Sequence, residues 1–173
     1  ERSRGLGDVY KRQPMAKVGV IYYSRTGNTE NMARAVCEGV KSKNIEVELK
    51  RVEEATPEDF LRWDGIIVGS PCYYGLPAAP IKELFDRSVK YHGRLNGKIG
   101  AAFSSSAQIG GGNETTVLAI LQMMLIHGMI VKGNPSGDHY GPVSIENPDE
   151  RVISQCKNLG AEVARLVKRM PPC

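Results

Sequence analysis

From residue 15 onward the chain alternates short β-branched runs with longer segments whose apolar positions recur every three or four residues. Residues 17–23 (KVGVIYY) form a strand pattern that ends at a turn signal. Residues 28–43 follow with a helical stripe of Met32, Ala33, Val36 and Val40. Residues 45–52 alternate at Ile45, Val47 and Leu49 until Arg51 breaks the phase, as suits a half-exposed strand at a sheet edge. Thr56, Pro57, Glu58 and Asp59 predict a short helix that ends near Trp63, with Thr56 as its N-cap, Pro57 at its first position and acids in its first turn. Residues 65–69 (GIIVG) predict a strand covered on both faces, followed by a loop over 70–77. A helix is predicted over 80–89, with Ile81, Leu84 and Phe85 on one side, then a strand over 98–103 and a small-residue loop over 104–113. Residues 114–127 predict a helix stopped by Gly128. The last strand starts at 129–131, and a long connection occupies 132–147. Asn147, Pro148, Asp149 and Glu150 open a final helix striped with Val152, Ile153, Cys156, Leu159, Val163 and Leu166, which Pro171 and Pro172 end.

Five strands alternating with helices predict an α/β domain: an open parallel sheet with helices on both faces. Ligands of such sheets bind at the carboxyl ends of the strands. The loops after the first, third and fourth strands are the richest in Gly, Ser, Thr and Pro, so the site is expected there.

The loop after the first strand reads Ser24, Arg25, Thr26, Gly27, Asn28, Thr29 and runs into a helix N-terminus. Free backbone N–H groups, the helix dipole and three hydroxyls can hold a phosphate there with neutral donors. Arg25 either joins them or faces solvent. No Gly-Lys-Ser/Thr follows, and the dinucleotide G-x-G-x-x-G is absent, so neither of those phosphate motifs applies.

Composition narrows the function classes. The formal charge is +4 over 173 residues, and residues 1–14 hold four basic side chains against two acidic ones. No basic stripe is interleaved with aromatics, so nucleic acid is not an expected partner. Residues 1–14 lack either apolar period and are expected to be a disordered leader, cloning scar or mistranslated extension, with Met15 as the natural start of a domain over 15–170. Cys37, Cys72, Cys156 and Cys173 are widely spaced, with no histidine at zinc spacing, so no metal site is expected and a reduced, cytoplasmic protein is. The longest apolar run, 117–126, is too short for a membrane span.

Four segments, in order, carry a resemblance: VIYYSRTGNTENMARAV, GSPCYYGLPAAPIKELFD (69–86), GKIGAAFSSSAQIGGGNETT (97–116) and HGMIV (127–131). Together they resemble the flavodoxin-like, FMN-binding NAD(P)H:quinone oxidoreductases of the WrbA type, from Met15 to about Met170 with gaps. The resemblance implies a flavodoxin-like five-stranded parallel sheet in the order 2-1-3-4-5. It also implies FMN as cofactor, NAD(P)H as co-substrate and a quinone or other small electron acceptor. Ser24 to Thr29 (Ser24, Arg25, Thr26, Gly27, Asn28, Thr29) would meet the phosphate, and Pro71, Cys72, Tyr73, Tyr74 and Gly75 the isoalloxazine ring. Ser105, Ser106, Ala107, Gln108, Ile109, Gly110 and Gly111 would wrap its pyrimidine side. His127 matches a family histidine close to the flavin, although its place in a last helical turn equally suits a capping role. Tyr140 with Gly141 matches a family pair near the site. The chain departs from the family in its shorter 51–64 and 132–147 segments and in lacking the tryptophan placed over the flavin; Trp63 is its only one. These departures bear on nicotinamide docking and on the family's tetramer.

Two further expectations come from the residues. The helix around 117–126 (VLAILQMMLI) is apolar nearly all round, which predicts a homo-oligomer formed through helix 114–127. The alternative to an enzyme is a flavodoxin that carries electrons between redox proteins; such carriers tend to be acidic, whereas this chain has a pI of about 8.9.

Overall fold

The computed structural model describes residues 15–170. The expected leader, residues 1–14, and the expected stop at Pro171 and Pro172 lie outside the described residues. The elements are β1 (Lys17–Tyr22), α1 (Asn28–Lys41), β2 (Glu46–Arg51), α2 (Asp59–Arg62), β3 (Gly65–Tyr73), β4 (Leu76–Pro77), α3 (Ala79–Arg87), β5 (Ile99–Ser106), α4 (Asn113–Ile126), β6 (Ile130–Val131), β7 (Val143–Ile145) and α5 (Glu150–Arg169).

The sheet order is β2-β1-β3-β5-β6, with every pair in that path parallel. This is the expected five-position order 2-1-3-4-5, with two short strands added. β4 folds back antiparallel on β3, and β7 pairs with β5 beyond β6. The final strand position is thus filled in two pieces, β6 beside Ile99–Gly100 and β7 beside Ser104–Ser106, and residues 132–142 leave the sheet between them.

Alternation along each strand sends side chains to two cores. Val18, Val20, Ile67, Ile99, Ala101 and Phe103 meet α1 and α5. Ile21, Ile66, Val68 and Ala102 meet the layer of α2, α3 and α4. Gly19 leaves room for Trp63: a β-carbon there would stand 2.0 Å from the indole, which is fully buried and donates from Nε1 to Glu48. α1 and α5 approach backbone to backbone, with Gly39 facing Lys157 O and Gly160 facing Val36 O.

Some boundaries differ from the sequence expectation. β3 and β5 run on to Tyr73 and Ser106, through stretches expected as loops, because the parallel ladder continues as Gly69↔Phe103, Ser70↔Ser104 and Pro71↔Ser105. Their apolar pattern stops early because the last serines face other polar groups. Thr56 is not a hydroxyl N-cap: its own N–H donates to the Asp59 carboxylate at 2.9 Å, and the helix proper starts at Asp59. Burial pushes the Asp59 carboxyl up, but the Thr56 N–H, Lys50 and Arg62 outweigh it and hold the group below its ordinary range.

Candidate flavin site

Order within the sheet decides where a ligand can sit. The chain leaves β1 for β2 on one side and returns to β3 on the other, so the loops at the carboxyl ends of β1 and β3 diverge and open a crevice. A cavity of about 600 Å³ lies there, within the range of ligand sites. Its walls are Ser24, Arg25, Thr26, Asn28 and Thr29; Pro71, Cys72 and Tyr73; Ser105, Ser106 and Ala107; and Glu146 with Asn147.

The first wall is built around a glycine. Gly27 caps α1 with φ +95°, which disfavours any other residue, and no heavy atom lies within 4 Å of where its β-carbon would be. No side chain caps the α1 N-terminus, so its first-turn N–H groups face the crevice without a side-chain acceptor. Ser24 Oγ accepts from Gly27 N at 3.0 Å, and Arg51 donates to Ser24 O at 2.8 Å, which fixes the loop from behind. Thr29 Oγ1 and Ser105 Oγ share a buried hydrogen bond of 2.9 Å, which ties the first wall to the third. Arg25 does not simply trail into solvent. Its Nε donates to Tyr23 Oη at 2.9 Å, and its guanidinium lies 5.2 Å from the Tyr73 ring centroid. Tyr23 and Tyr73 meet edge to face at 6.2 Å.

The second wall ends in a hairpin. Cys72 pairs with Pro77 and Tyr73 with Leu76, so Tyr74 and Gly75 alone form the turn, with φ +53° and +79°. Positive φ at both positions is the mark of a type I′ turn. The turn is joined to the third wall: Cys72 Sγ donates to Gly111 O at 2.9 Å, and Thr115 Oγ1 donates to Gly75 O at 3.0 Å and to Gly112 O at 2.9 Å. Ser106 Oγ donates to Gln108 O and accepts from Asn113. Of the expected loop over 105–111, Ser105, Ser106 and Ala107 line the cavity, whereas Gln108 to Gly111 are not among its walls and Ile109 is exposed.

Two expected site residues stand elsewhere. His127 caps the far end of α4, beside Gly97 and the start of β5. The cavity lies at the other end of that strand, about 25 Å away at ~3.3 Å per residue. The family-matched histidine is therefore remote from this crevice, because α4 runs antiparallel to β5 and carries its C-terminus away. Tyr140 lines a separate cavity of about 280 Å³ between residues 132–142 and α5. Conversely, Glu146 and Asn147 line the crevice, though no motif pointed to them, and Thr115, at the end of the third motif, braces it. Glu146 also has φ +56°, a signal that exists only in three dimensions.

The donor set is chemically particular. Hydroxyls of Ser24, Thr26, Thr29, Ser105 and Ser106, the Tyr73 ring and the small Ala107 line one cavity beside the α1 N-terminus, as a phosphorylated, flat, mostly apolar ligand requires. Fold and crevice together define a doubly wound α/β domain with a hydroxyl-rich crevice at its switch point, where ligands of such sheets bind.

Comparison with known proteins gives the family. Residues 20–117 match the Flavodoxin family. The chain is 43% identical over 162 residues to a flavodoxin of Aquifex aeolicus, covering 88% of each chain. It is 34% identical over 197 residues to an NAD(P)H dehydrogenase (quinone) of Rhizobium rhizogenes, covering 90% of this chain and 99% of the relative. The crystal structure of a WrbA-like flavodoxin from Agrobacterium tumefaciens superimposes with a TM-score of 0.77 at 25% identity, over 90% of this chain and 99% of that one. The chain belongs to the flavodoxin family.

Proposed function

We propose that this protein is an FMN-dependent oxidoreductase that passes two electrons from NAD(P)H to a quinone or similar small acceptor. The observation that carries the proposal is a single crevice in which an uncapped helix N-terminus with neutral hydroxyls meets an aromatic wall. Ser24, Thr26, Gly27, Asn28 and Thr29 would hold the FMN phosphate. Pro71, Cys72 and Tyr73, with the Tyr74–Gly75 turn, would flank the ring, and Ser105 to Gly111 would meet its pyrimidine edge. When bound, FMN supplies hydride acceptance and the return of two electrons and two protons. The residues around it bind, orient and shield. No acid or base is required of them, and His127 is too distant to serve as one within the protomer. Relatives named NAD(P)H dehydrogenase (quinone) support the enzymatic assignment.

A second function, electron carriage between redox proteins, is favoured by the 43% identity to a named flavodoxin. The chain's slightly basic charge argues the other way.

The protein is further proposed to act as a homo-oligomer in the cytoplasm. On α4 one side (Thr116, Val117, Ile120, Met124) is buried, while Leu125 and Ile126 are 53% and 72% exposed beside Val89. An apolar patch of this kind suits a second copy of the chain. Cys37, Cys72 and Cys156 are free thiols, in keeping with a reducing compartment.

The test of the site is a comparison of FMN with riboflavin by fluorescence quenching. FMN should bind at least about tenfold more tightly, since several hydrogen bonds to a charged phosphate are each worth ~1.5 kcal/mol or more. Equal affinity for the two would remove the phosphate loop from the account.

A further inference from the structure

Resting on the oxidoreductase reading above, we propose that Arg25 and the two tyrosines that hold it form a second phosphate subsite. It receives a phosphate group of the nicotinamide donor, apart from the helix terminus proposed for the phosphate of FMN.

Arg25 is the only basic residue among the walls of the crevice, and Glu146 is the only acidic one. Arg25 is exposed, yet it is held in place. Its Nε donates to Tyr23 Oη at 2.9 Å. Its guanidinium carbon stands 6.0 Å from the Tyr23 ring centroid and 5.2 Å from that of Tyr73, both within cation–π range. The two rings brace each other edge to face at 6.2 Å. They are also anchored in the sheet: Tyr73 ends β3, and Tyr23, just past β1, donates its backbone N–H to Gly69 O at 3.2 Å.

This tether leaves the anion-binding edge of the side chain open. Among the described residues, Nη1 and Nη2 of Arg25 make no hydrogen bond and no ion pair. A guanidinium meets a phosphate through such N–H groups in one plane, and stacking on an aromatic face leaves that plane accessible. Holding the side chain also removes rotamer freedom before any ligand arrives, which lowers the entropy cost of binding.

Position separates this subsite from that of FMN. The α1 terminus offers the N–H groups that follow Gly27, with the hydroxyls of Ser24, Thr26 and Thr29 as neutral partners. Arg25 is instead tied back to Tyr23 and stacked on Tyr73, in the aromatic wall. A hydride donor has to reach the flavin ring that Tyr73 would flank, and it brings phosphates of its own. NADH and NADPH both carry a pyrophosphate, and NADPH adds a 2′-phosphate. Either group supplies the chemistry that a free guanidinium edge recognises.

The experiment uses FMN-loaded wild type, Arg25→Gln, Arg25→Lys and Tyr23→Phe, after the affinity of each for FMN and for riboflavin has been measured. Binding of the oxidised nucleotides NAD+ and NADP+ is read from the shift they cause in the flavin's visible spectrum. Reduction by NADH and NADPH is followed separately, by anaerobic bleaching. Arg25→Gln should weaken nucleotide binding about five- to tenfold at low salt while keeping its preference for FMN over riboflavin. Arg25→Lys should restore only part of the loss, because an ammonium lacks the planar fork. Tyr23→Phe, which frees the guanidinium but keeps its charge, should weaken binding less than Arg25→Gln. Added salt should weaken binding to the wild type and affect Arg25→Gln little. A loss confined to NADP+ supports the subsite and assigns it to the 2′-phosphate; an equal loss with both nucleotides supports it and assigns it to the pyrophosphate. Unchanged nucleotide affinity in Arg25→Gln overturns the subsite and leaves the oxidoreductase standing. A selective loss of FMN against riboflavin in that variant also overturns it, by moving Arg25 to the phosphate of FMN. A wild type that neither NADH nor NADPH reduces overturns the subsite and the oxidoreductase together.

Discussion

His127 has one ring nitrogen satisfied and one not. Ser88 Oγ donates its only proton to Phe85 O at 2.6 Å, so it accepts from His127 Nε2 at 2.8 Å, which assigns the Nε2–H tautomer. Nδ1 is buried with no partner among the described residues. Burial, and then the neighbouring His92, hold the imidazole below its ordinary pKa of 6.5. The unfolded chain therefore takes up this proton first as pH falls. Above about pH 6.5 the group contributes nothing to pH dependence; below it, stability declines, by at most about 1.4 kcal/mol per pH unit, until the folded imidazole also protonates. Urea denaturation between pH 7.5 and 5 should show this decline, and His127→Gln should flatten it. An equal slope in the variant would mean other groups carry it. Elsewhere burial pushes the Cys37 thiol up to about 11 and that of Cys156 to about 12, so neither provides a thiolate at neutral pH.

The contact between α1 and α5 sets the wall behind the phosphate loop, and it depends on two glycines. A β-carbon at Gly160 would stand 2.0 Å from Val36 O. Backbone cannot yield as a flexible side chain can, so Gly160→Ala should cost about 1–3 kcal/mol despite alanine's better helix propensity. Thermal denaturation reads this directly; an unchanged or raised midpoint would show that the helices can separate at no cost. The helix stripes were legible in the sequence: Val152, Cys156 and Val163 are buried as the period requires. The glycine crossing was not, because a glycine in a helical pattern looks only like a weak position. The ends of β3 and β5 were missed for a related reason. Ser104, Ser105 and Ser106 are strand residues buried by partners such as Thr29 and β7, and a pattern of apolar residues cannot register that.

For the whole molecule, three segments distant in sequence converge on one crevice, and the sequence pointed to these stretches because each combines small residues with hydroxyls after a strand. It misplaced His127 and Tyr140, whose local matches carried no information about which end of a helix or which side of an excursion faces the crevice. The exposed α4 face belongs to this scale too. Light scattering at micromolar concentration should give at least a dimer mass, and Ile126→Glu should shift it to the monomer; a monomeric wild type would contradict the proposed assembly. No helix among the described residues is long and apolar enough to cross a membrane, so the patch is not part of a spanning helix. The most direct test of the central proposal is an anaerobic titration of the FMN-loaded protein with NADH and with NADPH, following the flavin's visible absorption. Rapid bleaching by one of them, reversed on adding a quinone, is the expected result. A flavin that binds yet stays oxidised with both would contradict the oxidoreductase and identify a carrier that needs a separate reductase.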